Sequence, residues 1–145
     1  MNYNDLMAEL GKAVGLDDFG PDENGMCELY GEEATVTFQY VPEAEMVLTT
    51  GLVCKIENDV SLDFYRIFLE ANFMFQRTRG STLSVDPHSN AVMLARYDRL
   101  ETLTIENFLP IVERFAATLV EWKKWQSEGG APVPESEMNG EFLRI

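Results

Sequence analysis

The sequence contains few of the residues that usually build catalytic and metal sites. Its 145 residues include one histidine, His88, and two cysteines, Cys27 and Cys54. Two thiols cannot complete a tetrahedral zinc site, and in a reducing compartment we expect them to stay unpaired and buried. Because His88 belongs to a predicted proline-containing turn, we expect it to be exposed to solvent.

The motifs that make catalytic predictions specific are also missing. There is no glycine-rich phosphate loop, His-Glu-x-x-His pair, Cys-x-x-Cys pair or Gly-x-Ser-x-Gly element. We therefore predict no catalytic residues, no metal, no cofactor and no enzymatic activity. An enzyme with an unrecognised acidic site would require a pocket with paired carboxylates of strongly shifted pKa.

Basic residues are scarce, and long apolar runs are absent. Eleven lysines and arginines against 25 aspartates and glutamates give a formal net charge of −14, which repels nucleic acid phosphates and anionic lipid surfaces. No run approaches the roughly 18–20 apolar residues of a membrane-spanning helix, and the first residues lack a secretory signal. We expect a cytoplasmic protein with no nucleic acid or membrane partner. The acidity indicates solubility and leaves open a site for basic ligands.

Four arginines form the main basic concentration of the chain, and acidic residues such as Asp86 and Asp98 lie nearby in the sequence. The arginines are Arg77, Arg79, Arg96 and Arg99. We predict that they form internal ion pairs, with a pocket for an anionic ligand as the alternative.

The apolar residues follow helical and strand periodicities in a definite order. Helical spacing over residues 2–16, with Asn2 or Asn4 as cap, predicts a first helix. Three strands follow at residues 26–30, 34–40 and 45–56, and their short connections predict an antiparallel meander. Gly51 in the third strand indicates a bulge or the close approach of another backbone.

The next segment is predicted to be a helix that is capped by Asn58, Asp59 or Ser61 and runs to about Arg79. It has apolar residues on two sides of a narrow polar stripe. One apolar face consists of Phe64, Ile67, Phe68, Ala71, Met74 and Phe75, and the other of Leu62, Tyr65, Leu69 and Phe73. A helix that packs on one sheet needs only one buried stripe. The second face therefore predicts an additional cover, which in so short a chain would be a second copy.

The remaining elements complete an α+β domain. Strands at residues 82–86 and 91–98 form a hairpin around Pro87, and Thr104 caps a final helix to about residue 127. Pro110 predicts a kink near residues 106–110 or a later helix start. The predicted order is α-β-β-β-α-β-β-α in one domain over residues 1–127, followed by a flexible acidic tail over residues 128–145.

This order of elements resembles the class I chaperones of type III secretion, the Tir chaperone (CesT-like) family. The local similarity is carried by residues 69–75, Gly80, residues 83–85 and residues 91–97. It extends over roughly residues 4–126. The resemblance implies a bacterial cytoplasmic chaperone that keeps a secreted effector soluble, partly unfolded and export-competent.

The resemblance also implies two interaction surfaces and a release factor. In this family two subunits pair through the central helix and a neighbouring strand, which here implies a homodimer interface at Leu62, Tyr65, Leu69, Phe73, Gln76, Leu83 and Val85. The effector's N-terminal chaperone-binding segment wraps around the dimer in extended form. Its grooves would lie along the first helix and the meander, at Leu6, Leu10, Val14, Met26, Leu29, Val36, Phe38 and Val47. The secretion-associated ATPase would release the client.

Two alternatives remain open from the sequence. Each residue of the two surfaces is also explained by ordinary core packing. The chain could also be a general protein-interaction or regulatory module of the same fold, without a secreted client.

Overall fold

The computed structural model describes residues 1–56 and 60–128. Beyond Glu128, the predicted tail lies outside the described residues. The elements are α1 (Tyr3–Ala13), β1 (Met26–Tyr30), β2 (Thr35–Val41), β3 (Met46–Lys55), α2 (Leu62–Ala71), β4 (Thr82–Asp86), β5 (Ala91–Arg99) and α3 (Ile105–Ser127). Short 3₁₀ helices cover Phe73–Phe75 and Leu100–Thr102. The predicted α+β order is confirmed.

The five strands form one antiparallel sheet in the order β1-β2-β3-β5-β4, so β1 and β4 are its two edges. The bulge of β3 lies between Leu52 and Cys54. At Gly51 the close approach comes from the side chain of Leu119 on α3, because an added Cβ would lie 2.3 Å from Leu119 Cδ2. Gly51 therefore allows α3 to lie close against the sheet.

Strand alternation separates the two faces of the sheet. On β3, Val47, Thr49, Gly51 and Val53 are buried, whereas the intervening residues are half-buried or exposed. The buried face packs with α1 and α3 in one core, in which Phe38 of β2 contacts Phe108 of α3 at a ring centroid distance of 5.8 Å. The helices therefore lie on one side, and the other side of the sheet retains accessible surface.

The central helix is shorter than the sequence predicts. It ends at Ala71 instead of residue 79, and Met74, Phe75 and Arg79 have positive φ angles of 59°, 58° and 48°. The side chain of Asn72, the residue after the helix, accepts a hydrogen bond from Leu83 N at 2.8 Å and donates one to Leu83 O at 2.9 Å. This tertiary pairing with β4 outweighs local helix propensity, and it leaves Met74 and Phe75 exposed.

The chain between the 3₁₀ turn and β4 is fixed to α3. Arg79 donates to both carboxylate oxygens of Glu121, at 2.8 and 3.0 Å, and to Thr118 Oγ1 at 3.0 Å. Trp122 Nε1 donates to the carbonyl of Arg77 at 3.0 Å. These bonds hold the irregular segment in one position relative to the core.

The other predicted ion pairs are found in part. Arg96 pairs with Asp98 at 2.7 Å, as predicted, and Arg99 pairs with Glu101 at 2.7 Å. Asp86 instead accepts hydrogen bonds from the backbone N of His88 and the hydroxyl of Ser89. These two bonds lower the pKa of Asp86, and they shape the hairpin turn.

The final helix does not start late. It begins at Ile105 and continues through Pro110. A capping box fixes its start, because Thr104 Oγ1 accepts from Asn107 N and Asn107 Oδ1 accepts from Thr104 N. The helix therefore begins before Pro110, and the predicted later start is wrong.

Candidate functional site

The outward face of α2 and of the turn after it is an apolar surface that no other described part of the chain covers. Leu62, Leu69 and Phe73 are 86%, 70% and 77% exposed. On the opposite side of the same helix Phe68 is buried against Trp122 and Trp125 of α3. The sequence makes the helix apolar on two sides, and the core occupies only one of them.

The structure brings most of the predicted dimer residues to this face. Leu69, Phe73 and Gln76 border one surface hollow of about 550 Å³. Tyr65, on the same helix, is also exposed, as is Val85 on β4. The described chain thus presents exposed apolar side chains along α2 and the turn that follows it, and Glu70 and Arg77 also border the hollow.

Leu83 requires a correction among the predicted interface residues. Its side chain is 3% exposed and belongs to the core, because its position on β4 directs it toward the same face as Leu94 of β5, its partner in the register. It has no side-chain surface to offer a second subunit.

Five of the eight predicted effector-groove residues also lie in the core. Leu6, Leu10, Val36, Phe38 and Val47 are buried in one cluster. Helix α1 packs its apolar stripe into the same core as the meander, so no groove separates them. A side chain enclosed in this way has no surface for a bound segment. Val14 is exposed, and Met26 and Leu29 are half-buried, so these three predicted residues remain accessible.

The open edge of β1 offers backbone hydrogen-bonding groups. Gly31 N donates to Ala34 O across the β1–β2 turn, and the register therefore turns the N–H and C=O groups of Glu28 and Tyr30 away from β2. The third outward position, Met26, is occupied from within the chain, because Asp22 N donates to its carbonyl and its N–H donates to Asp22 Oδ1. Within residues 1–56 and 60–128, the outward backbone groups that β1 leaves free are thus those of Glu28 and Tyr30.

The side chains of Glu28 and Tyr30 emerge together beside this edge. Both lie on the accessible face of the sheet, and the Tyr30 hydroxyl donates a hydrogen bond to the Glu28 carboxylate. This bond raises the pKa of Tyr30. Glu28 was not among the predicted site residues, and the signal that identifies it is the pairing register.

The opposite edge of the sheet is closed near the start of β4. The outward N–H and C=O of Leu83 on β4 are both bonded to the side-chain amide of Asn72. An amide side chain here takes the place that a neighbouring strand would occupy. The two edges of the sheet therefore differ in their availability to an added strand.

A second hollow, of about 400 Å³, lies on the accessible face of the sheet. Leu48 of β3 and Tyr97 of β5 line it, together with Phe75 from the irregular segment. None of these three residues belongs to a surface predicted from the sequence. The sequence feature that could have indicated this hollow is the presence of apolar residues on both faces of β5.

Cys27 and Cys54 are buried free thiols, and burial raises the pKa of both. Within residues 1–56 and 60–128, no group of three or more histidine, cysteine, aspartate or glutamate side chains is placed to hold a metal ion. In the same part of the chain, no helix has the length and apolar character needed to cross a bilayer.

Comparisons with solved structures find the same fold in secretion chaperones. The chain is similar to the ExsC–ExsE complex, with a TM-score of 0.70 and 24% identity over 83% of this chain and 90% of that chain. It is also similar to the HopA1–SchA chaperone–effector complex, with a TM-score of 0.64 and 19% identity over 84% and 90% of the two chains.

A third similar structure is the Yersinia pestis type III secretion chaperone SycH in complex with a fragment of YscM2. Its TM-score is 0.64, with 13% identity over 83% of this chain and 99% of that chain. A comparison with curated protein sequences finds no significant match.

The sequence profile that matches is that of the Tir chaperone protein (CesT) family, over residues 5–123. The match spans both sheet edges and all three helices. The prediction of a secretion chaperone is confirmed, and the chain belongs to the Tir chaperone protein (CesT) family.

Proposed function

We propose that the chain is a type III secretion chaperone that works as a cytoplasmic homodimer. It binds the N-terminal chaperone-binding segment of a secreted effector and keeps this client soluble, partly unfolded and competent for export. Membership of a chaperone family supports this function and points away from an enzyme. The fold shared with chaperone–effector complexes is consistent with a protein client.

The main support for the proposed homodimer is the exposed apolar face of α2. Full burial of a leucine or phenylalanine side chain contributes about 1.5–3 kcal/mol. In a two-fold dimer Leu62, Leu69 and Phe73 contribute from both subunits, which gives on the order of 10 kcal/mol. This is comparable with the estimated cost of association, about 4–15 kcal/mol. Gln76, Tyr65 and Val85 extend the same surface.

The client-binding surface is placed at β1. An extended client can add as a strand along Glu28 and Tyr30 and gain backbone hydrogen bonds with few sequence requirements. Val14, Met26 and Leu29 supply accessible apolar surface for its side chains. The five buried residues of the predicted groove then act only by supporting this surface from the core.

Client release is assigned to an external factor. The sequence contains no nucleotide-binding motif, so the chaperone has no evident energy source of its own. We propose the secretion-associated ATPase as this second partner.

The homodimer is tested by sedimentation equilibrium of the full chain. The parent protein should sediment as a dimer, and Leu69→Asp or Tyr65→Asp should give a folded monomer, since an unpaired charge in an apolar interface is unfavourable. Leu16→Asp, at an exposed leucine outside the interface, is the matched control and should remain dimeric. A monomeric parent protein would refute the interface.

The client site is tested by a proline substitution at the open edge. Tyr30→Pro removes an N–H that points away from β2, so the β1–β2 pairing is retained. Clients that co-purify with the parent chain from its native cells should bind this variant more weakly. Tyr30→Thr keeps the N–H and is the control. Equal client binding by parent and proline variant would remove the strand-addition site.

A further inference from the structure

Negative charge is concentrated in one part of the chain. Residues 13–54 contain nine acidic residues and no lysine or arginine. They therefore carry nine of the fourteen net negative charges on 42 of the 145 residues. All nine side chains are exposed: Asp17, Asp18, Asp22, Glu23, Glu28, Glu32, Glu33, Glu43 and Glu45.

Seven of these nine residues lie on β1 or in the segments next to it. Four are in the segment that precedes the strand, Glu28 is on the strand, and Glu32 and Glu33 are in the turn that follows. Two lysines of α3 are close, since Lys123 and Lys124 border a hollow together with Glu33, and Lys124 Nζ lies 3.7 Å from a carboxylate oxygen of Glu33. The free edge thus belongs to a stretch of 42 residues that contains no basic side chain of its own.

We propose that the client segment bound at β1 is basic, with lysine or arginine alternating with apolar residues. This inference rests on the proposed function and specifies the chemistry of the client. In an added strand, alternate side chains would lie beside Glu28 on one face and beside Leu29 on the other. Opposite charges on neighbouring strands are stabilising, and an acidic surface attracts a basic segment during association.

The charge pattern also separates this client from a second copy of the chain. Pairing two β1 strands would bring two acidic segments together, and like charges on adjacent strands are destabilising. A general requirement for solubility would be met by acidic residues anywhere on the surface. It does not require that 42 consecutive residues lack every basic side chain.

The test uses three fluorescent ten-residue peptides and the full-length protein. One alternates lysine with valine, the second has glutamate in place of lysine, and the third has the lysines and valines in two blocks. Fluorescence anisotropy should show at least about tenfold tighter binding of the first peptide than of the second, and weaker binding of the block peptide. Raising the salt concentration should weaken the first peptide most.

The Glu28→Lys variant tests whether the peptide binds at β1. This substitution should lower the affinity for the alternating basic peptide by about three- to tenfold, since exposed charge pairs have modest energies. Glu113→Lys makes the same charge change at an exposed position of α3 and should change the affinity by less than about twofold. If circular dichroism shows that Glu28→Lys does not fold, Glu32→Lys takes its place.

Two results would overturn the inference. One is equal weakening by Glu28→Lys and Glu113→Lys, because the peptide would then sense net charge alone. The other is a co-purified native client whose segment protected at β1 lacks alternating basic residues. The second result leaves the proposed chaperone function intact, whereas the Tyr30→Pro experiment tests the strand-addition site itself.

Discussion

Replacing Asn72 with alanine tests how the central helix is terminated and how the β4 edge is closed. The substitution removes both hydrogen bonds between the side-chain amide and the backbone of Leu83, at 2.8 and 2.9 Å. It leaves a backbone N–H and C=O without these partners in a half-buried position. The irregular segment after α2 also loses its attachment to the sheet.

The expected loss of stability follows from these two bonds. Each contributes about 0.5–1.5 kcal/mol net, and a buried group left unsatisfied costs somewhat more. We therefore expect the free energy of unfolding to fall by about 1–2 kcal/mol, which corresponds to a Tm decrease of roughly 3–8 °C for a domain of this size.

Thermal unfolding followed by circular dichroism measures this change. Parent and variant must be compared at one protein concentration, because dissociation of a dimer contributes to Tm. Asn4→Ala replaces an exposed asparagine of α1 and should shift the Tm by less than about 2 °C. The opened β4 edge should also increase self-association beyond the dimer, seen by light scattering. An Asn72→Ala protein with parental Tm and scattering would refute the reasoning.

Three further predictions concern the core and its attachments. Gly51→Val should destabilise the chain by about 1–3 kcal/mol in urea unfolding, because the new side chain would overlap Leu119; parental stability would contradict this packing. Arg79→Met should cost about 1–3 kcal/mol through loss of the bonds to Glu121, whereas Arg66→Met, at an exposed helix pair, should cost less than about 0.5 kcal/mol. Both buried thiols should react with Ellman's reagent at least about tenfold more slowly than in urea-unfolded protein; prompt labelling of the folded protein would contradict their burial.

The order of elements could be predicted from the sequence because each element has a strong local signal. Alternation defined the strands, and helical spacing with Asn2 and Thr104 as caps defined the first and last helices. The two-sided apolar character of the central helix corresponds to a face that the described residues leave exposed. All of these signals depend on residues close together in the sequence.

The parts that could not be predicted depend on contacts between distant residues. The central helix stops at Asn72 because of Leu83, eleven residues later, and helical spacing alone continued it to residue 79. The burial of five predicted groove residues has a similar cause, because periodicity shows that Leu10 and Phe38 are apolar but not that they pack into the same core. Glu28 was missed because only the register shows which backbone groups β1 leaves free.

The proposed client site lies on the β1 edge of the sheet, whereas the dimer face lies on α2, which packs beside the opposite edge strand β4. Their independence can therefore be tested. Four strand spacings of about 4.8 Å separate β1 from β4, roughly 19 Å, and mutational effects at such distances usually add within about 0.3–0.5 kcal/mol. Leu69→Asp should therefore split the dimer without changing the affinity of each subunit for the short basic peptide. Combined with Glu28→Lys, it should weaken peptide binding no more than Glu28→Lys alone. A coupling above about 1 kcal/mol between the two substitutions would mean that the peptide site includes residues from both subunits, and the assignment of the site to a single β1 edge would be wrong.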